Sequence, residues 1–229
     1  FLFATFYAAA EWLRGNILTG FPWNIPGYGW GGSLAVLQSV AFIGVYGLSL
    51  LTILFGASLA LLLDGPRAWR VPAALALLFA SMWIGGIYRL NATHVGDVPD
   101  VRLRLVQPNV PQDEKYARDL RLEHWRELVQ LSLAPGNGPA PTHVIWPEAA
   151  PPFLLSREPG ALQDIAVITG ANRVLMTGTV RATRTPGEQP HFFNSFDIFG
   201  PGGALIATYD KFHLVPLGEY VPMREILEP

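Results

Sequence analysis

Two short stretches carry side chains suited to acid–base and electrostatic chemistry: "WPEAAPPF" at 146–153 and "YDKFHLVPLGEYVP" at 209–222. In the first, Glu148 follows the apolar run Val144, Ile145, Trp146 and precedes a run of Ala and Pro. Folds of the α/β class commonly place active-site groups at such strand ends. Trp146 and the nearby prolines make a stiff, partly dry frame, which raises a carboxylate's pKa and suits it to general-base work near neutral pH. In the second, Lys211 stands just after a strand-like run, where an ammonium can stabilise a developing oxyanion. A rigid loop then leads to Glu219. Each residue alone also has a plainer reading. Glu148 can be a solvated strand tip, and Lys211 can pair with its neighbour Asp210. Asn194, inside a strand-like run, either bonds backbone or orients a catalytic group.

Other chemistries find little support. His143, His191 and His213 lack metal-ligand spacing, and neither a GxSxG elbow nor a glycine-rich phosphate loop occurs. With no cysteine, this stretch holds no disulfide and no thiolate metal site. A net charge of −2 gives no basis for binding nucleic acid.

The elements that must position these residues fall into two parts. Residues 1–88 carry only five charges (Glu11, Arg14, Asp64, Arg67 and Arg70), against 29 in the remainder. A membrane-crossing helix needs about 20 mostly apolar residues. Residues 34–63 form one uncharged run, 71–88 a second, and 1–10 read as the end of a third. The turn holding Arg67 and Arg70 is expected in the cytoplasm, which leaves the loop 15–33 and everything after 89 outside. That loop holds Phe21, Trp23, Tyr28 and Trp30 among Gly and Pro, either as headgroup-level anchors or as the lining of a lipid entry site. Glu11 and Arg14, three apart, are expected to pair on one helical face.

Residues 91–100 read as a linker. Beyond it, 101–107 alternates, with Val101, Leu103 and Leu105 on one face and Arg102 and Arg104 on the other. A helix is expected over 114–133 with Leu122, Trp125, Leu128 and Val129 on its apolar face. A short strand "HVIW", a weaker helix at 160–169 and a strand at 173–180 follow. "FFNSFDIF" and "ALIATYD" form a hairpin through "GPGG". The order β-α-β-α-β-β predicts a layered α/β domain.

Four stretches in this order, "EWLRGNILTGFPW", "LVQPNVPQDEKY", "WPEAAPPF" and "YDKFHLVPLGEYVPM", resemble the bacterial apolipoprotein N-acyltransferases, whose outer domain belongs to the nitrilase (carbon–nitrogen hydrolase) superfamily. The likeness extends over nearly the whole chain. It implies a multi-span α-helical membrane part over 1–90, then the N-terminal portion of an α-β-β-α sandwich of the nitrilase type over 101–229, truncated at its C-terminus. It implies a Glu-Lys-Cys triad in which Glu148 is the general base, Lys211 the catalytic lysine and Glu219 a supporting glutamate. Tyr116, where many members have Trp, and Trp23 are the implied substrate contacts. No metal or cofactor is implied.

The implied partners are a phospholipid acyl donor and a diacylglyceryl-cysteine apolipoprotein acceptor, meeting at the bacterial inner membrane with the nitrilase-like domain on the periplasmic side. The chain starts and stops mid-pattern and reads as a fragment. The family's cysteine lies further beyond Lys211 than the 18 residues present here, so this fragment alone is expected to be inactive. Its half sandwich would leave strand edges unpaired and is expected to be unstable in isolation. A membrane-tethered amidase or nitrilase and a non-catalytic membrane scaffold are the competing readings.

Overall fold

The computed structural model describes residues 1–111, 113–115, 117–183 and 190–223. The chain forms two compact units. One contains Phe1–Gly96 and takes the chain up again from His213, and the other contains Asp97–Phe212.

In the first unit, α1 (Leu2–Asn16) is followed by a loop, a short 3-10 turn at Pro26–Gly32, α2 (Leu34–Leu37), α3 (Val40–Ser58) and α4 (Arg70–Ala92). The apolar run 34–63 is therefore not one helix. Ser33 caps α2 by accepting the Val36 N–H, and the long helical stretch begins only at Val40. Two stretches, Val40–Leu63 and Arg70–Ala92, are long and apolar enough to cross a membrane, with mean hydropathy 2.1 and 1.7. Only 11% and 17% of them is buried, so they are not the enclosed core helices of a globular fold. Hydroxyls within α3 return to its own carbonyls, Ser49 to Val45 and Thr52 to Leu48, leaving few polar groups to satisfy elsewhere.

Trp30 is no surface anchor. Its indole donates to Thr52 Oγ1 at 2.8 Å, and its ring stacks on Phe79 at 4.8 Å beside the buried Val36 and Leu48. A Cβ on Gly86 would lie 1.8 Å from the Ala35 carbonyl oxygen, so only glycine lets α4 approach α2 this closely. Glu11 and Arg14 pair at 2.5 Å as their spacing predicts.

The second unit holds a five-stranded sheet in the order β1-β2-β3-β4-β5: β1 (Leu103–Leu105), β2 (His143–Ile145), β3 (Val174–Thr183), β4 (His191–Phe199) and β5 (Leu205–Asp210). The first three run parallel and the last two antiparallel. The "GPGG" hairpin closes as expected, with Gly202 and Gly203 at positive φ. Helices α5 (Arg121–Leu133) and α6 (Pro159–Thr169) build the core with Val144, Trp146, Leu175 and Phe199. Ile165 and Ile168 of α6 are fully buried, each contributing roughly 1.5–3 kcal/mol of transfer free energy.

Two expectations fail here. α5 begins at Arg121 rather than 114. Leu122 is 62% exposed, because it lies off the stripe set by Trp125, Leu128 and Ser132. The alternation in β1 holds, and its arginine face is the one that meets the helices: the Arg104 guanidinium donates to the Ser132 carbonyl of α5 at 2.7 Å, while Leu103 and Leu105 are exposed. The sheet thus has one face covered by helices. The other presents Leu103, Leu105, Phe192, Phe196 and Tyr209 to solvent.

Candidate active site

Glu148 is positioned from below by the core. Val144 of β2 is fully buried, and the Trp146 N–H donates to the Met176 carbonyl at 2.9 Å, prolonging the β2–β3 pairing toward the loop. The Trp146 indole is buried, donates to Ser132 Oγ at 2.7 Å, and meets Trp125 edge-on at 5.5 Å. Trp125 is fixed in turn by Asp164 at 2.7 Å. From this anchor the chain turns sharply. Ala149 adopts φ 47°, a left-handed conformation costing an L-residue about 1–2 kcal/mol. The Ala150 N–H then donates to the Gly178 carbonyl at 3.0 Å. Gly178 has no side chain to hold this loop away: a Cβ there would stand 2.6 Å from Glu148 Cα and 2.8 Å from Ala149 N.

The Glu148 side chain is 66% exposed, which corrects the partly dry setting expected for it: the proline frame stiffens the backbone but leaves the carboxylate projecting from the surface. Asn194 of β4 donates to its Oε1 at 2.5 Å, and the Lys211 ammonium lies 3.5 Å from the same oxygen. Asn194 and Lys211 are themselves tied, since the Lys211 N–H donates to the Asn194 carbonyl at 2.8 Å.

Lys211 does not pair with Asp210, as its plain reading had it. Asp210 accepts from Arg181 at 2.5 and 3.3 Å and from Ser195 Oγ at 2.6 Å. The Arg181 guanidinium, helped by the Ser195 hydroxyl, holds the Asp210 carboxyl below the usual carboxylate range. Exposed ion pairs contribute about 0–1 kcal/mol, so the Glu148–Lys211 pair explains little of the fold's stability. It brings a carboxylate and an ammonium to one point, with strained backbone beside them, the pattern that functional sites tolerate.

Two clefts border Glu148. One, of about 340 Å³, is lined by Trp146, Gly178, Asn194, Phe196, Tyr209 and Lys211. The other, of about 180 Å³, lies among Gln107, Asn109, Lys115, His124 and Pro147. The first unites a base, a cation and an amide donor, sufficient to take a proton and steady a negative oxygen. Among the described residues no thiol stands beside it, since the chain has no cysteine, and Ser195 Oγ donates to Asp210.

Glu219 belongs to the first unit. Its carboxylate accepts the Val215 N–H at 2.8 Å, in a loop closed by the Leu217 N–H on the Tyr220 carbonyl and the Glu219 N–H on the Val215 carbonyl, both 2.8 Å. The Thr19 hydroxyl donates to the Leu214 carbonyl and lies 3.1 Å from the Tyr220 hydroxyl. Trp23 is 59% exposed, and its carbonyl accepts from Arg14 at 2.9 Å. Tyr116 lies outside the described residues. Gly178, Ala149, Lys115 and His124 were not legible beforehand as parts of the site. For Gly178 a signal existed, because an isolated glycine within a strand marks close backbone approach. Among the described residues no cluster of metal-ligating side chains occurs.

The profile of the apolipoprotein N-acyltransferase N-terminal domain matches residues 1–58. Apolipoprotein N-acyltransferases of Rhodopseudomonas palustris and Bradyrhizobium diazoefficiens are each 40% identical over 96% of this chain, and that of Brucella melitensis is 38% identical over 98%. In each case the chain spans 43% of the relative's own length. The resemblance carried by the four motifs is thereby borne out. A carbon–nitrogen hydrolase from Helicobacter pylori G27 aligns in structure at TM-score 0.37 and 19% identity, over 52% of this chain and 42% of its own.

Proposed function

We infer that this chain is a stretch of an apolipoprotein N-acyltransferase, and that it supplies the base and the oxyanion-stabilising lysine of that enzyme. The observation that carries the reading is the convergence of Lys211 and Asn194 on Glu148 Oε1, at 3.5 and 2.5 Å, Glu148 and Lys211 coming from two of the stretches that bear the family resemblance.

In the proposed reaction Glu148 takes the proton of a cysteine thiol supplied by the part of the enzyme these 229 residues do not span. The thiolate attacks the ester carbonyl carbon of a phospholipid. A C–S bond forms, and the carbonyl π pair moves to oxygen, where Lys211 stabilises it. Collapse breaks the ester C–O bond, and the departing lysophospholipid alkoxide takes the proton from Glu148. The α-amine of a diacylglyceryl-cysteine lipoprotein then attacks the thioester. Glu148 accepts the ammonium proton and returns it to the leaving thiolate. Glu219 supports this site, and Trp23 and Tyr116 contact the lipid substrates.

The two long apolar helices and the exposed Phe21, Trp23 and Tyr28 of the loop between α1 and α2 support a multi-pass bacterial inner-membrane protein. On this reading the Arg67–Arg70 turn is cytoplasmic and the α/β domain periplasmic. The solvent-facing Leu103, Leu105 and Phe196 support a half sandwich of the nitrilase type, whose apolar face a second sheet covers.

The test uses the full-length protein with its cysteine intact. A fluorescent short-chain phospholipid should label it through a hydroxylamine-sensitive bond, and E148Q and K211M should lose the label. Labelling from small amides alone would favour the amidase reading. Equal labelling of E148Q would remove Glu148 from the chemistry.

A further inference from the structure

The second cleft beside Glu148 has no task in the chemistry above, yet it is built where ligands bind. Its two walls are the loops that follow β1 and β2, at the carboxyl ends of adjacent parallel strands, the edge of an α/β sheet where ligand sites collect. At about 180 Å³ it falls below the roughly 300–1,000 Å³ of pockets that hold a whole drug-sized ligand. It suits a small polar group rather than an acyl chain.

The lining is polar: the Gln107 and Asn109 amides, the Lys115 ammonium and the His124 imidazole. Lys115 reaches across to the Glu148 carbonyl at 3.2 Å, which places its positive charge at the wall shared with the first cleft. Glu148, the one carboxylate among the described lining residues, directs Oε1 to Asn194 and Lys211 of the other cleft.

His124 supplies an independent pointer. It is 8% exposed, and its Nδ1 is buried without a hydrogen-bond partner, alone in this among the described residues. A buried polar atom left unpaired costs about 1–3 kcal/mol, and such atoms are rare in native proteins, where a water, an ion or a catalytic role usually accounts for them. The same ring lines the cleft, and histidine χ2 is a soft torsion.

We propose that this cleft binds the phosphodiester of the acyl donor's headgroup. The assignment rests on reading the donor as a phospholipid. It puts the phosphate on the Lys115 side of the Glu148 loop and the reacting ester on the Lys211 side, so that the loop separates headgroup from carbonyl. The cleft thereby selects a phospholipid over an uncharged glyceride with the same chains.

Two measurements on the full-length protein in detergent test this. In the first, the rate of acyl-enzyme formation is compared for a phospholipid and for diacylglycerol of equal chain length. K115M and H124Q should lower kcat/KM for the phospholipid at least 10-fold more than for diacylglycerol, chiefly through KM. Equal losses on both donors would mean that these residues only support the Glu148 loop, and would overturn the assignment. In the second, histidine ring NMR, with His124 assigned by its loss in H124Q, follows titration with glycerophosphoethanolamine, inorganic phosphate and a short lipopeptide. A His124 shift at lower concentration of glycerophosphoethanolamine than of phosphate is the expected result. No shift, a shift driven as well by phosphate, or a shift from the lipopeptide alone would each overturn it. Should the wild type acylate from neither donor, the proposed function fails, while the titration still decides whether the cleft takes a phosphodiester.

Discussion

Replacing Gly178 with alanine is expected to damage the candidate site more than it damages the fold. The added Cβ would stand 2.6 Å from Glu148 Cα, 2.8 Å from Ala149 N and 2.9 Å from the Pro147 carbonyl oxygen. Carbon atoms in ordinary contact sit about 3.5–4.0 Å apart, so the loop must retreat by about 1 Å. All three obstructing atoms are backbone, and no rotamer change relieves them. Overpacking of this kind costs about 1–3 kcal/mol, and the 3.0 Å bond from Ala150 to the Gly178 carbonyl is stretched with it. A 1 Å displacement of a reacting group costs on the order of 100-fold in rate. The assay is the first-order rate of thioester formation in the full-length enzyme, read beside its melting temperature. G200A is the control, because its Cβ would meet the flexible end of Ile206 (Cδ1 at 2.4 Å) rather than backbone. Its rate should stay near wild type. A G178A enzyme with wild-type rate and melting temperature would refute the claim that close backbone approach positions Glu148.

Four further outcomes are expected. N194A removes a hydrogen bond to a charged group, worth about 1.5–3 kcal/mol, and should slow thioester formation about 10- to 100-fold; an unchanged rate would show that Asn194 does not hold the base. Asp210 has its pKa lowered by Arg181 and Ser195. It therefore stabilises the fold fully above the unfolded carboxylate value near 3.9, and the contribution is lost as pH falls toward the lower folded value. Melting temperature from pH 6 down to 3 should fall more steeply in wild type than in D210N. T19V deletes the bonds to Leu214 and Tyr220 and should speed amide exchange at Leu217 and Glu219 while leaving exchange in β3 and β4 unchanged. Residues 97–212 expressed alone should bind a hydrophobic dye and melt without a sharp transition, owing to the solvent-facing Leu105, Phe192 and Phe196; a cooperative melt would contradict this.

The hairpin at "GPGG", the Glu11–Arg14 pair and the helix expected at 160–169 were legible because each rests on local chemistry: turn glycines, i,i+3 spacing, apolar periodicity. What escaped the sequence depends on which surface ends up covered. The alternation in β1 gave two faces and no means of saying that Arg104 would turn toward α5 while Leu103 and Leu105 faced out. The uncharged run 34–63 concealed a break, since Ser33 and the short α2 depend on packing against α4. At the site, motifs pointed to Glu148 and Lys211 separately. Their meeting at 3.5 Å follows from the register of β4 and β5, which the hairpin fixes, and from the Arg181–Asp210 pair, which occupies the acid beside Lys211. Asn194 had two open readings until the register placed it against Glu148.

The division of the chain also sets a sequence in time. Thr19 is bonded to Leu214 and Tyr220, 195 and 201 residues further on, yet all three lie in the unit that begins at Phe1. Closing so long a loop through unfolded chain costs about 5 kcal/mol of entropy by the logarithmic rule. A folded segment of the intervening length has a radius of gyration of about 13 Å, against about 35 Å for the coil. Collapse of 97–212 therefore draws the two ends of the loop together. During synthesis, the helices of the first unit are made first and the sheet next. The Glu219 loop is made after both.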